Sequence, residues 1–310
     1  MGANAPSVAI PAGYEAAHER VAHRFSTAGV IDVAGDDRLS FLQGQLTQEV
    51  HGLAEGEARA AAGLTPKGKL LFVAQVVGLE DRLRLVVPAT LRQTVLDHLR
   101  KYAVFTKVAL VDRSGEFVRM SLYGPKAANL ALPGWILRLG PRRGLSGDLL
   151  VPADRRAEVE ALLAAAGSTA VSDEAAEILR VEAGRPRFGS DMDETNLPDE
   201  VGMDDAISTT KGCYVGQEVV ARLRTYGRVT RRLVSFRFPE GLLDVGDVLE
   251  RAGKESPSRT EAGRVTSAVV SPRLGPIGLG YAFHDVAPGA RLVCVSKPHL
   301  SAIVSDLPSA

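Results

Sequence analysis

The chain has 310 residues, enough for two or three compact modules, and its 45% hydrophobic and 24% charged residues are ordinary for a globular soluble protein. Its 37 basic and 37 acidic side chains cancel, so net charge gives no reason to expect wholesale binding to nucleic acid or to a membrane surface; a local basic patch stays open. No apolar run approaches the roughly 20 residues that span a bilayer, the N-terminus lacks the basic-then-apolar order of a signal peptide, and two cysteines, Cys213 and Cys294, cannot frame a disulfide scaffold, so a cytoplasmic protein is expected.

The first dozen residues, rich in Ala and Pro, read as a loose terminus. Val30–Val33 reads as a short strand, and Asp36 or Asp37 is placed to cap a helix with Leu39, Leu42 and Leu46 on one face. The apolar runs Leu70–Val77 and Leu83–Val87, parted by Gly78 and Asp81, predict a hairpin. Pro88 then stands where a helix can begin, with Leu91, Val95, Leu96 and Leu99 at helical spacing. Strands follow at Val108–Val111 and Phe117–Leu122, then helices over 154–166, closed by Gly167, and over 173–183. Interleaving of this kind predicts an α+β body with mainly antiparallel sheets. From residue 228 onward the helical period stops. Leu233–Phe238, Gly263–Val270, Leu279–Phe283 and Leu292–Val295 are β-rich runs among Gly, Pro and Ser clusters, which predicts a small all-β barrel or sandwich. The expected division is a body over 1–227 and a C-terminal β-barrel over 228–310.

Several motifs invite chemistry and fail on detail. Gly63-Leu-Thr-Pro-Lys-Gly-Lys-Leu70 nearly spells a phosphate-binding loop, but Leu70 stands where Ser or Thr would hold Mg²⁺ and Pro66 lacks an N–H; a turn into a strand is the better reading. Asp191-Met-Asp-Glu-Thr-Asn196 puts Asn where a calcium loop needs Gly, and is expected to be a solvated acidic loop. The six histidines are scattered, no CxxC occurs, and no metal ligands are assigned. Arg222, Arg224, Arg228, Arg231 and Arg232 make a dense basic stretch, read as a solvated face or as an anion site suited to carboxylate or phosphate.

The region from Arg180 to Glu218 differs in kind. Arg180 and Glu182 end a helix stopped by Gly184 and Pro186, and a long loop then runs to Lys211-Gly-Cys-Tyr-Val-Gly-Gln-Glu218. Loops of that length in a compact domain are usually functional. Its glycines bracket a thiol, a phenol and an amide. Cys213 has two readings at this point: a thiolate favoured by Lys211, or a small buried hydrophobe.

The pattern R-x-E-x-G-x-P-x-x-G-x-D…P-x-E…K-G-C-Y-x-G-Q-E, met at Arg180, Glu182, Gly184, Pro186, Gly189, Asp191, Pro198, Glu200 and 211–218, resembles the YgfZ-type branch of the glycine-cleavage T-protein family. Lys67-Gly-Lys69, Lys101-Tyr-Ala-Val-Phe105 and Asp37-Arg-Leu-Ser-Phe-Leu42 are similar to that branch too, so the resemblance spans most of the chain. It implies a T-protein-like folate-binding α+β body around a central channel, and tetrahydrofolate or a folate derivative as cofactor. It also implies iron–sulfur client enzymes or assembly factors as partners, without nucleic acid or membrane. It places Glu182 as the carboxylate that pairs with the pterin, Lys211 as a basic residue near folate, and Cys213 as the branch-defining thiol with a redox role. Tyr214 of the octapeptide and Arg222 of the basic stretch complete the candidate cofactor-binding set. One departure bears on catalysis. Aminomethyltransferases carry acids after the glycines of the first hairpin, one of them catalytic, whereas Gly68-Lys-Leu-Leu-Phe-Val73 has none. An apolar side chain cannot accept a proton, which argues against aminomethyl transfer by the usual route.

Overall fold

The computed structural model describes residues 9–251 and 261–308, so most of the expected loose terminus lies outside the described residues. Helix α1 (Tyr14–Glu19) leads into strands β1 (Ala22–Ser26) and β2 (Ala28–Ala34) and helix α2 (Arg38–Gln45). Strands β3 (Ala58–Leu64), β4 (Leu70–Gly78) and β5 (Arg82–Pro88), helix α3 (Arg92–Tyr102) and strand β6 (Ala109–Asp112) complete a sheet ordered β3-β4-β5-β2-β6. Strands β7 (Phe117–Tyr123), β8 (Leu137–Arg138) and β9 (Gly147–Pro152), helix α4 (Arg156–Ala165) and strand β10 (Thr169–Ala170) build a second, ordered β10-β1-β7-β9-β8. Among the described strands of these two sheets only β1 with β10 is parallel, which bears out the mainly antiparallel expectation.

The side-chain pattern stacks these layers. In β2, Ile31 and Val33 pack with Leu42 of α2 and Val95 and Leu99 of α3, while Val30 packs with Leu139 and Leu150 of the second sheet. Both faces of β2 are therefore covered, and its apolar run is broken only by Asp32, which is buried against Arg84. On the outer face of the second sheet, Met120, Leu122, Leu149 and Val151 meet Val159 and Leu163 of α4. The result is a pair of facing sheets between helical layers.

Helices α5 (Asp173–Glu182), α6 (Pro198–Val201) and α7 (Gln217–Tyr226) lead to strands β11 (Arg231–Arg237), β12 (Val248–Arg251), β13 (Glu261–Ser271), β14 (Gly275–Phe283), β15 (Arg291–Cys294) and β16 (Ser301–Ser305). These six close into a barrel ordered β11-β14-β13-β12-β15-β16. Val234, Phe236, Leu249, Val265, Leu292 and Val304 fill it. Closure leaves no free edge, so the short runs read from the sequence suffice.

The hairpin of β4 and β5 and the helices α3, α4 and α5 fall where the periodicity placed them, with a 3-10 turn over Ala89–Leu91 between Pro88 and α3. Asp37 stands before α2, but its carboxylate accepts from Lys107 N at 2.7 Å and makes no cap bond. The expected capping is thus replaced by a tie between α2 and the start of β6. Replacing Phe236, 1% exposed inside the barrel, by Ala is expected to cost about 3–5 kcal/mol, read as a lower urea midpoint with an unchanged slope.

Candidate functional site

The motif that begins at Arg180 is first a joint. Arg180 sits in the last turns of α5 and is 6% exposed. Its guanidinium reaches Glu177 (3.0 and 2.7 Å), Arg185 O (2.8 Å), Asp191 (2.6 Å) and Ser267 Oγ (2.7 Å). That uses all five donors of the group. Asp191 accepts in turn from Arg187 N, Thr266 Oγ1 and Ser267 Oγ, and its carbonyl accepts from Tyr281 on β14 at 2.7 Å. The expected solvated loop is therefore only half solvated. Asp193, Glu194 and Thr195 face water, but Asp191 is buried where it binds the body to barrel strands β13 and β14, and Asn196 where it accepts from Leu70 N and Asp193 N within the body.

Glu182, two residues on, faces another way. Its Oε1 accepts from Tyr14 Oη and Ser271 Oγ, both at 2.5 Å, and His18 Nε2 lies 3.1 Å from Oε2. Burial and the bond to this carboxylate push the Tyr14 phenol up to about 12, so it stays a donor at neutral pH. These three partners are missed by sequence reasoning, since they come from α1 and from the end of β13 and carry no motif.

The octapeptide runs between α6 and α7. Lys211, 7% exposed, turns inward, and its Nζ donates to Gln43 O (2.7 Å), Leu46 O (2.6 Å) and Gln48 O (2.9 Å), closing the C-terminal end of α2. A cation at a helix C-terminus is favourable. Burial still pulls its pKa down to about 8, partly offset by Glu49. Its Nζ also lies 5.1 Å from the Tyr214 ring centroid. Tyr214 is buried beside Leu64, Leu70, Val220 and Tyr281, and Cys213 is exposed. The buried-hydrophobe reading of Cys213 is thus corrected, and Lys211, committed to three carbonyls, makes no bond to the thiol. Gly216 allows the tight approach: it has φ +82°, and a Cβ there would lie 2.5 Å from Thr65 O in the β3–β4 turn.

That turn is not a phosphate cradle. Gly68 N and Lys69 N bond back to Thr65, and Leu70 N to Asn196 O. Within the acid-free stretch 68–73 the β3–β4 pairing passes from Gly63↔Phe72 to Leu64↔Leu70, leaving Leu71 as the extra residue of a bulge.

The basic stretch disperses. Arg224 pairs with Asp199 (2.6 Å) and Asp204 (2.8 Å), Arg231 with Glu200 (3.4 Å) and Arg232 with Asp306 (3.0 Å). Arg222 and Arg228 remain exposed, and Arg222 stands on α7 along an open groove of about 540 Å³ lined also by Leu197, Glu218, Val219, Leu223 and Tyr226. Of the sequence-read residues, Lys211 and Tyr214 come together, Cys213 lies beside them in the chain, and Glu182 and Arg222 make separate contacts.

A further group was not legible at all. Asp148 on β9 is fully buried and takes Arg119 Nε at 2.7 Å and Arg119 Nη2, with Arg142 at 3.4 Å. Burial raises its pKa, but the Arg119 hydrogen bonds and the charges of Arg119, Arg142 and Arg185 outweigh that and hold it below the usual carboxylate range.

No protein-family model matches the chain. It is 30% identical over 327 residues to an aminomethyltransferase of Rubrobacter xylanophilus, covering 94% of this chain and 85% of the relative. It is 29% identical over 273 residues to a Vibrio vulnificus protein named tRNA-modifying protein YgfZ, covering 79% and 82%. The crystal structure of the glycine cleavage system aminomethyltransferase T from Bartonella henselae matches it with a TM-score of 0.81 at 21% identity, covering 95% of this chain and 87% of that one. The chain belongs to the T-protein, or aminomethyltransferase-like, family, with YgfZ-type proteins among its relatives.

Asp191→Ala is expected to lower unfolding free energy by about 3–5 kcal/mol, because it leaves Arg180 buried without its carboxylate; equilibrium denaturation checks this. Lys211 is expected to tilt the pH dependence. Its folded pKa of about 8 lies below the ordinary 10.5, so between these values the unfolded chain holds a proton the folded one releases. Stability from this group therefore rises with pH across that window. In Lys211→Met the denaturation midpoint between pH 8 and 10 should climb less steeply than in wild type.

Proposed function

We propose that this protein binds a reduced folate and acts as an accessory factor for the assembly or repair of iron–sulfur enzymes, with Cys213 as its working thiol. The observation that carries the reading is the Glu182 carboxylate, held at the end of α5 by Tyr14, Ser271 and His18. A carboxylate oxygen has two acceptor positions. Oε1 uses both on Tyr14 and Ser271, while Oε2 keeps one beside His18. Glu182 therefore fits a pterin edge through one new bond at Oε2, and through two when Tyr14 or Ser271 yields Oε1. Bound folate would supply a carrier for one-carbon units; the chain's own contribution is to hold the pterin edge and shield it from water.

The apolar bulge at Leu71 supports a role without standard aminomethyl transfer, since no acid stands there to steady a cationic intermediate. The exposed position of Cys213 supports thiol chemistry toward a partner rather than a packing role. Lys211 and Tyr214 then act as positioning residues: they fix the octapeptide against α2 and the β3–β4 turn. A second reading, folate-dependent aminomethyl transfer or demethylation, is supported by the relative named aminomethyltransferase. Release of formaldehyde or transfer of its carbon to folate from methylated amines would favour it.

Calorimetric titration with 5-formyltetrahydrofolate is expected to show binding that Glu182→Gln weakens about tenfold, the scale of one charge-assisted hydrogen bond. Equal affinity would remove Glu182 from the site. In a deletion strain, Cys213→Ser should bind folate as wild type does yet fail to restore iron–sulfur enzyme activity; full restoration would exclude the thiol.

A further inference from the structure

The two body sheets face each other across an apolar seam formed by Ala28, Val30, Val77, Val86, Leu139 and Leu150. Asp148 shares a strand face with Leu150, and Gln75 shares one with Val77, because side chains alternate along a strand. One step along each strand the seam turns polar. Arg119 of β7 and Asp148 of β9 stand on one sheet and Gln75 of β4 on the other, and Gly140 follows Leu139, whose N–H donates to Asp148 O. A Cβ on Gly140 would lie 3.5 Å from Gln75 Oε1. Gln75 is 9% exposed, and that oxygen is buried with no hydrogen-bond partner.

Charge at this place does not balance. Arg119 and Arg142 both bond to Asp148, and Arg185, whose charge also acts on Asp148, donates to Arg143 O at 2.6 Å. Among the described residues none of these guanidiniums has a second carboxylate. A matched group elsewhere in the molecule shows what balance looks like. Asp32 also meets three arginines, Arg82, Arg84 and Arg113, but Arg82 has Asp81 and Arg113 has Glu116. There, three cations meet three anions. Around Asp148, three cations share one.

An unpaired buried charge is costly, and a guanidinium cannot escape by ready deprotonation. Burial and the charge of Arg119 drag the Arg142 pKa down to about 9 despite Asp148, and burial lowers Arg185 too. Arg142 nevertheless keeps 31% of its side-chain surface open to solvent. A solute can therefore reach the cations.

We propose that Arg119, Arg142 and Arg185 form a seat for a ligand carrying two neighbouring oxyanion groups, a dicarboxylate or a diphosphate, which enters along the open side of Arg142 while Gln75 Oε1 accepts an N–H or O–H from it. Two added negative charges bring the group to the balance found around Asp32. The planar forks suit paired oxygens. The seat does not rest on the folate reading, and probes without a pterin keep the two separable.

The test is calorimetric titration of the full chain with glutarate and, separately, with inorganic pyrophosphate, at fixed ionic strength. At least one is expected to bind with Kd below about 1 mM and to raise Tm. Arg142→Gln should weaken that binding about tenfold or more. Its ligand-free Tm should equal or exceed wild type, because one of three mutually repelling cations is gone. Binding by glutarate alone assigns the seat to carboxylates, and by pyrophosphate alone to diphosphates. Should Arg142→Gln fail to fold, Arg185→Gln carries the comparison. Heats no greater than those with sodium chloride, or affinity unaltered by both substitutions, would overturn the proposal.

Discussion

The buried pair of Arg180 and Asp191 is the constraint on which the rest of the molecule depends. One guanidinium, with every donor engaged, gathers α5, the loop after it and barrel strand β13. Tyr281 adds β14 through the Asp191 carbonyl. Such a pair gives little net stability over apolar packing, but breaking it leaves a charge without compensation. What it contributes is registry: the barrel docks in one orientation, and that orientation brings Ser271 to Glu182. Motif residues that look functional in the sequence are thus partly structural, and they are structural for the benefit of the site.

The same separation of roles recurs in the octapeptide. Lys211 and Tyr214 face inward to α2 and to the cluster around Leu64 and Leu70, and Gly216 lets the β3–β4 turn approach. Cys213 faces out. A segment with three anchored residues and one free thiol presents that thiol in a defined place. The neighbouring bulge at Leu71 is apolar, and no acid stands in the stretch 68–73. Family membership does not by itself fix activity, because activity lives in a few side chains and the fold survives their exchange.

The interior between the sheets carries the other lesson in charge. Whole-chain neutrality, with 37 cations and 37 anions, says nothing about where the charges lie. The Asp32 group closes to neutrality and the Asp148 group does not. Local imbalance in a place water can reach is a stronger sign of a ligand than any overall charge.

Much of the architecture was legible in the sequence because periodicity is local. The hairpin at Leu70–Val87, the helix bearing Val95 and Leu99, and the β-rich run after residue 228 follow from spacing of apolar residues. Strand β3 was not, since Ala58–Leu64 is alanine-rich and has no strong period, and α7 was masked by its arginines. Glu182, Lys211 and Cys213 were marked by motif, but their surroundings were not, because Tyr14, Ser271 and Gln43 stand far from them along the chain. Asp148 and its arginines carried no signal whatever. The sequence by itself marked the family, the strongly periodic elements and the thiol; the tertiary structure alone decided which charges are paired. Pairing is a property of distance in space, and the contacts that set it join residues on different strands and loops that no local period connects.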